Sequence, residues 1–457
     1  MNFRNWLIAI SVGALSMGAQ GQTLETLYRS ALQNDTDLKA TQANARATDT
    51  LVIQGRSELL PRLSLDAESA ATYQRGDEGF PGLDEDGDIV YSGEVGLVLS
   101  QNLFNMQAFA GYDAVRNQSA QSEAQITAAR ADLLVRVVDA YLDVLKAREG
   151  VTLADRVIET VERQKEQTEE RYEVGLVAVT DVLEATAALD QARADRLQAD
   201  NQLTLSKQQL SRITGVTVDS LPRLDQDFDV TTVDTGDLTE WLARSRRNPS
   251  LVAGQLGIRA AEDELRANRA DRLPVVRAQA RYGYDANYQD DRTTTNFMGE
   301  SVSADDFQDS GNFSIALVAS MSFPLFDGGS RSAGLSRSGF QLEAQEADLE
   351  GNIQQIELAV RQGYQQLQAD LSRINALQQV LSSRESAAEA IELGYEVGSR
   401  NIVEVLDAQQ TLLNAQTDLS NARHDFLSNY FQLKEAAGDL SDQDIAWLNG
   451  LLVRASE

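Results

Sequence analysis

The chain has 457 residues, enough for two or three ordinary domains or one large repeated one. With 70 Asp and Glu against 40 Lys and Arg its formal net charge is −30, a field that repels phosphate backbones and argues against nucleic-acid binding. It has no Cys, which excludes disulfides, thiolate chemistry, zinc–cysteine sites and lipidation of an N-terminal Cys.

Residues 1–21 read as a signal peptide. Arg4 supplies the charge, Trp6 to Met17 the apolar run, and Ala19-Gln20-Gly21 a small-x-small cleavage site. That run is about a dozen residues, short for a membrane span, and no other stretch approaches about 18 consecutive apolar residues. An exported chain without transmembrane helices can enter a membrane only as β-strands.

Residues 23–60 carry helical patterning with a break at Asn34-Asp35, and Pro61 ends it. Two period-2 runs follow. Leu63, Leu65, Ala67, Ala71 and Tyr73 alternate with more polar residues over 62–73, and Tyr91, Val95, Leu97 and Leu99 share a face over 91–101. The acidic, turn-rich stretch 76–88 joins them as a hairpin. Its acidic run at 84–88 resembles a calcium loop but has Ile89 where such a loop needs Gly and Val95 where it needs Glu.

The plan recurs after Pro274. Val276, Ala278, Ala280, Tyr282 and Tyr284 alternate, an acidic loop spans 289–312, and Phe313, Ile315, Leu317, Ala319, Met321 and Phe323 share a face. Such faces suit lipid-facing barrel strands of about 10 residues. They suit half-buried soluble hairpins equally. Four strands are too few to close a barrel of usual size, and lipid tolerates no open edge, so several copies would have to contribute. Three copies would give about twelve strands.

The helical stretches are long. No Pro occurs from Gln107 to Tyr172, and Leu133, Val137, Ala140, Val144, Ala147, Val151, Ala154, Ile158 and Val161 step by four and three. A second stripe, Leu134, Val138, Tyr141 and Leu145, lies one residue over. In the other half Ile353, Ile356, Val360, Tyr364, Leu367, Leu371, Ile374, Leu377 and Leu381 keep the same rhythm. Sustained 3.5 periodicity predicts coiled-coil packing, and about 65 helical residues reach roughly 100 Å.

Residues 171–193 align without a gap to 394–416, at an offset of 223, with 9 identities in 23 positions. A tandem duplication follows. Gly175 and Gly398 each sit between two long helical patterns, where a helix end needs positive φ, so each copy is expected to be a helix hairpin. The expected organisation is a first repeat over 22–213, an acidic connector over 214–237, a second repeat over 238–440 interrupted by Pro249, and a short C-terminal helix near 442–454 within 441–457.

No nucleotide fingerprint, nucleophile elbow or H-E-x-x-H motif is present. The single His424 lies inside a helical run and reads as a surface or packing residue. Asp181 and Glu184 share a helix face, as do Glu404 and Asp407. Acids in a first helical turn suit the helix dipole; gathered by symmetry at a pore mouth they would form a ring that binds cations.

Taken together, RYEVGLVAVTDV, GYEVGSRNIVEVLDA, LLPRLSL, SFPLFDGG at 322–329 and NARHDFLSNYFQLKEAAG at 421–438 make the chain resemble the TolC family of outer-membrane ducts over roughly residues 22–440. The resemblance implies a mainly α fold with a small β part. Its parts are a trimeric twelve-stranded transmembrane β-barrel, four strands per chain, a continuous periplasmic α-helical barrel, and a mixed α/β equatorial belt. It implies a passive, non-enzymatic channel of efflux or type I secretion in the outer membrane of a Gram-negative bacterium, without cofactor or metal. The implied partners are outer-membrane lipid, two further copies, a periplasmic adaptor and an inner-membrane pump of RND, ABC or MFS type. It assigns a periplasmic gate lock to Tyr395 and Arg400 with partners Thr180 and Asp181, and an acidic constriction ring to Glu404 and Asp407. Glu404 stands where the family more often has Asp. The alternatives are a secreted coiled-coil scaffold or adhesin without a pore, and a helical periplasmic enzyme.

Overall fold

The computed structural model describes residues 22–74, 88–219, 221–224, 228, 230–289, 293–295, 301–303 and 310–453. The expected signal peptide and most of the two acidic loops lie outside these residues. Helix α1 (Leu24–Asn34) starts where the Thr23 hydroxyl accepts the Thr26 N–H, and α2 (Thr36–Ser57) follows after Asp35, at the expected break. Pro61 then turns the chain into β1 (Arg62–Gln74), β2 (Asp88–Phe104), the 68-residue α3 (Met106–Glu173) and α4 (Val179–Thr214). The connector carries β3 (Arg223–Leu224) and one 3-10 turn.

Helix α5 (Leu238–Ser245) opens on the Asp237 cap, and α6 (Pro249–Ala270) begins at the proline, whose missing N–H costs nothing at a helix start. Next come β4 (Val275–Gln289), β5 (Thr293–Thr295), β6 (Ser301–Ser303), β7 (Ser310–Ser322), the 67-residue α7 (Ser330–Glu396) and α8 (Ile402–Ala436). The chain closes with α9 (Asp442–Gly450) and β8 (Leu452–Val453), so the last helix is shorter than expected. Gly450 is a poor helix former, and the backbone beyond it pairs instead with β3.

These elements form two compact units that each draw on both sequence repeats. One comprises Ala43–Gln125 and Ser250–Gly351; the other takes the chain up to Gln42, Ile126–Pro249 and the chain from Asn352.

In the first unit β1, β2, β4 and β7 form one antiparallel sheet in that order. The register places Leu65, Leu97, Tyr282 and Ile315 in one row, and Leu63, Leu99, Ala280 and Leu317 in the next. Directly opposed residues share a face, so all four alternating sets expected from the sequence merge into one apolar surface. That surface is bare: Ile315 and Leu317 are 83% and 81% exposed. The opposite face pairs Glu94 with Arg281 and carries Asp285, which accepts from Ser314. Helices α2, α3 and α6 are tied in this unit by Ser119 to Asp49 (2.6 Å) and Asn117 to Asp263 (2.7 Å).

The second unit holds the main core. On α3 both stripes are buried through Leu133, Leu134, Val137, Val138, Tyr141, Val144 and Leu145, so this helix has neighbours on two sides. Val360, Leu367 and Ile374 of α7, Phe426, Leu427 and Phe431 of α8, and Leu24 and Leu27 of α1 close around them. Asp35, buried, is paired by Arg136 at 3.0 Å.

A polar seam runs between α3 and α8. Ser428 and Gln432 donate to Asp139, Lys146 pairs with Asp425 at 3.0 Å, and Ser420 donates to Glu149. His424 lies within it as a packing residue. Burial pushes its pKa down, and its Nδ1–H donates to the Ser420 carbonyl at 2.9 Å.

Glu435 has its pKa pushed up to about 7, first by burial and then by Asp132 and Asp139. Because the folded value lies above the ordinary one, its stabilising effect is present at low pH and lost as pH rises through about 7. Glu435→Gln should therefore raise denaturant stability by about 1 kcal/mol near pH 8, water still reaching part of the carboxylate, and lose the advantage near pH 5. An equal effect at both pH values in denaturant titrations would show that ionisation is not the cause.

Candidate functional site at the hairpin tips

The two helix hairpins of the second unit turn in the same way. At the end of α3, Gly175 has φ 75°, its N–H donates to the Tyr172 carbonyl (2.9 Å), and the Leu176 N–H reaches the Arg171 carbonyl (2.8 Å). At the end of α7, Gly398 has φ 77°, its N–H donates to Tyr395 (3.0 Å), and the Ser399 N–H reaches Gly394 (2.8 Å). Both are Schellman closures, and the left-handed residue they require is strain-free only as glycine. The return helices are then capped differently. The Asp181 carboxylate accepts the Ala178 N–H (3.3 Å), whereas the Asn401 side chain accepts the Glu404 N–H (2.9 Å).

Beyond the turns the copies diverge. Tyr395 is 7% exposed and packs on Ile402 and Val405. Its hydroxyl lies 3.2 Å from the Oγ1 of the fully buried Thr168, and the Arg171 guanidinium sits 4.4 Å from its ring centroid. Arg171 also donates to the carbonyls of Tyr395 (3.1 Å) and Glu396 (3.3 Å), the last of α7. Tyr172, the equivalent of Tyr395 in the first copy, is exposed.

Thr180 is exposed and Asp181 half-buried, and within one protomer neither meets Tyr395 or Arg400. Arg400 instead pairs with Glu404 one helical turn on, at 2.7 Å. Asp407 is exposed and has no basic partner among the described residues. The structure thus brings Tyr395 to Thr168 and Arg171, and Arg400 to Glu404. No motif marks Thr168. Arg171 does carry a signal, since it heads the first repeat where the second has Gly394.

A sheet with a bare apolar face on a chain built otherwise of long helix hairpins fits the class of membrane proteins that enter lipid through their strands. The outer membrane efflux protein family matches over residues 27–216 and 243–439. The chain is 31% identical to the outer membrane protein TolC of Vibrio cholerae over 443 residues, 97% of this chain and 96% of that one. It is 27% identical to the alkaline protease secretion protein AprF of Pseudomonas aeruginosa, covering 96% and 89% of the two chains. The crystal structure of the outer membrane protein VceC from Vibrio cholerae superposes with a TM-score of 0.74 at 21% identity, covering 91% and 96%. The chain belongs to the outer membrane efflux protein family. It is an outer-membrane channel of the efflux and secretion class, and not an enzyme.

Proposed function

We propose that three copies of this chain assemble into one export duct. Their strands close a twelve-stranded barrel in outer-membrane lipid, the long helices continue it as an α-helical barrel in the periplasm, and α1, α5 and α9 belong to a mixed α/β belt. The observation that carries this reading is the sheet, whose exposed face is apolar and whose outer edges on β1 and β7 are unpaired among the described residues. In lipid each unmet backbone group costs several kcal/mol, so strands of other copies must take those edges. The halves 22–213 and 238–440, joined by 214–237, are duplicated copies of one unit, with 441–457 as the closing segment; the two separate family matches support this division.

The hairpin tips form the periplasmic gate. It closes when Tyr395 and Arg400 engage Thr180 and Asp181, and Glu404 and Asp407 ring the constriction. A periplasmic adaptor docks on the helices, and an inner-membrane pump of RND, ABC or MFS type supplies the energy. A groove of about 390 Å³ lies between α3, α4 and α8, lined by Val157, Val161, Leu406 and Leu413 together with polar residues such as Gln191 and Gln410, and offers a place for such a partner. A scaffold or adhesin without a pore would have no use for the apolar sheet face.

Fractionation tests the reading. Detergent-extracted trimers from the outer membrane are expected, and Ile315→Arg with Leu317→Arg should abolish their assembly, since each arginine costs about 2–4 kcal/mol at the bilayer midplane. Soluble periplasmic monomers of the unaltered protein would overturn it.

A further inference from the structure

We infer that Thr168 and Arg171 form a second station for Tyr395, so that Arg171 acts as a gating residue favouring the released arrangement of the hairpin tips. This rests on the lock reading proposed above and adds a residue to the opposite side of its equilibrium. The Tyr395 ring and hydroxyl that would serve the lock are held by α3 of the same protomer. The hydroxyl meets Thr168 at 3.2 Å, and Arg171 covers the ring at 4.4 Å. Asp181, the lock partner, meanwhile accepts the Ala178 N–H at its own helix start through one oxygen.

Thr168 gives its own proton to the Gln164 carbonyl (2.8 Å), so Tyr395 is the donor to Thr168 and has no second proton for the Asp181 carboxylate; locking requires it to leave Thr168 and Arg171. A side chain with two discrete sets of partners is a bistable element, and removing a partner present in one state alone shifts the population to the other. Arg171 is such a partner. Its two donations to the last carbonyls of α7 also place its charge at the negative end of that helix dipole.

The repeat explains why the device is one-sided. The second copy has Gly394 where the first has Arg171, and a Cβ there would stand 2.7 Å from Arg400 Cγ. The copy that carries Arg400 therefore has no room for the arginine unless Arg400 moves. Tyr172, without a facing arginine, stays exposed.

Planar-bilayer recordings of purified trimers test the inference. Arg400→Ala should raise conductance; adding Arg171→Ala in that background should cut open occupancy about fivefold, and Arg171→Lys should restore about half of it by keeping a cation on the ring. Equal occupancy with and without Arg171 would overturn the station while leaving the lock intact. If Arg400→Ala alone changes nothing, the lock reading falls and a cross-linking map decides the station. For that map p-benzoylphenylalanine replaces Tyr395. Photoadducts on the segment holding Thr168 and Arg171 are expected, and adducts only on the segment holding Thr180 and Asp181 would overturn the assignment.

Discussion

Arg400→Ala is expected to raise the bilayer conductance of reconstituted trimers by tenfold or more. If Arg400 locks the closed tip through Thr180 and Asp181, each protomer loses a charge-assisted contact of about 1.5–3 kcal/mol in that state alone. Three protomers lose it together, which suffices to move a mostly closed population to a mostly open one. The substitution is clean in the arrangement observed. Arg400 is exposed there, in the turn before α8, and among the described residues its ion pair is with Glu404, a contact worth less than about 1 kcal/mol. Tyr395→Ala is a poorer probe, because it strips packing from Ile402 and Val405 and removes the Thr168 and Arg171 contacts together with the lock. Tyr395→Phe keeps that packing and isolates the hydroxyl. Unchanged closed-state conductance in Arg400→Ala would argue that the lock lies elsewhere.

The fold was legible where periodicity and punctuation agree. Pro61 and Pro274 precede the two hairpins, the alternating residues of four strands fall in common rows, and Leu133 to Val144 bury as a 3.5-residue rhythm requires. The rhythm on α7 was less faithful, since Val360, Leu367 and Ile374 are buried but Ile353 is exposed. A stripe says which face can bury and nothing of where a partner ends.

The polar seam was not legible at all. Asp139, Lys146 and Glu149 look like solvated helix positions until Ser428, Asp425 and Ser420 arrive from 271 to 289 residues away. Long-range partners between two helices leave no spacing signal. At the tip, the acids after each turn could be read from the repeat, whereas the hold on Tyr395 is a contact between helices: the two copies differ visibly at Arg171 and Gly394, but the meaning of that difference depends on a tyrosine 224 residues away.

The second large effect concerns the acids. Glu404→Ala with Asp407→Ala should weaken block by a trivalent cation such as hexamminecobalt by tenfold or more. Around a three-fold axis the protomers would gather three of each residue, and each partly hydrated carboxylate contributes about 1 kcal/mol to a multivalent cation at moderate salt. The two positions should differ. Glu404 already has the Arg400 guanidinium at 2.7 Å, whereas Asp407 has no basic partner among the described residues. Asp407→Ala should therefore cost more than Glu404→Ala in the released arrangement, and Arg400→Ala should strengthen block by freeing Glu404. Undiminished block in the double variant would refute the ring. Block that weakens equally in both single variants would instead mean that Arg400 is turned away from Glu404 whenever the cation binds. If one arginine serves both lock and ring, cation affinity and gate position are linked in both directions.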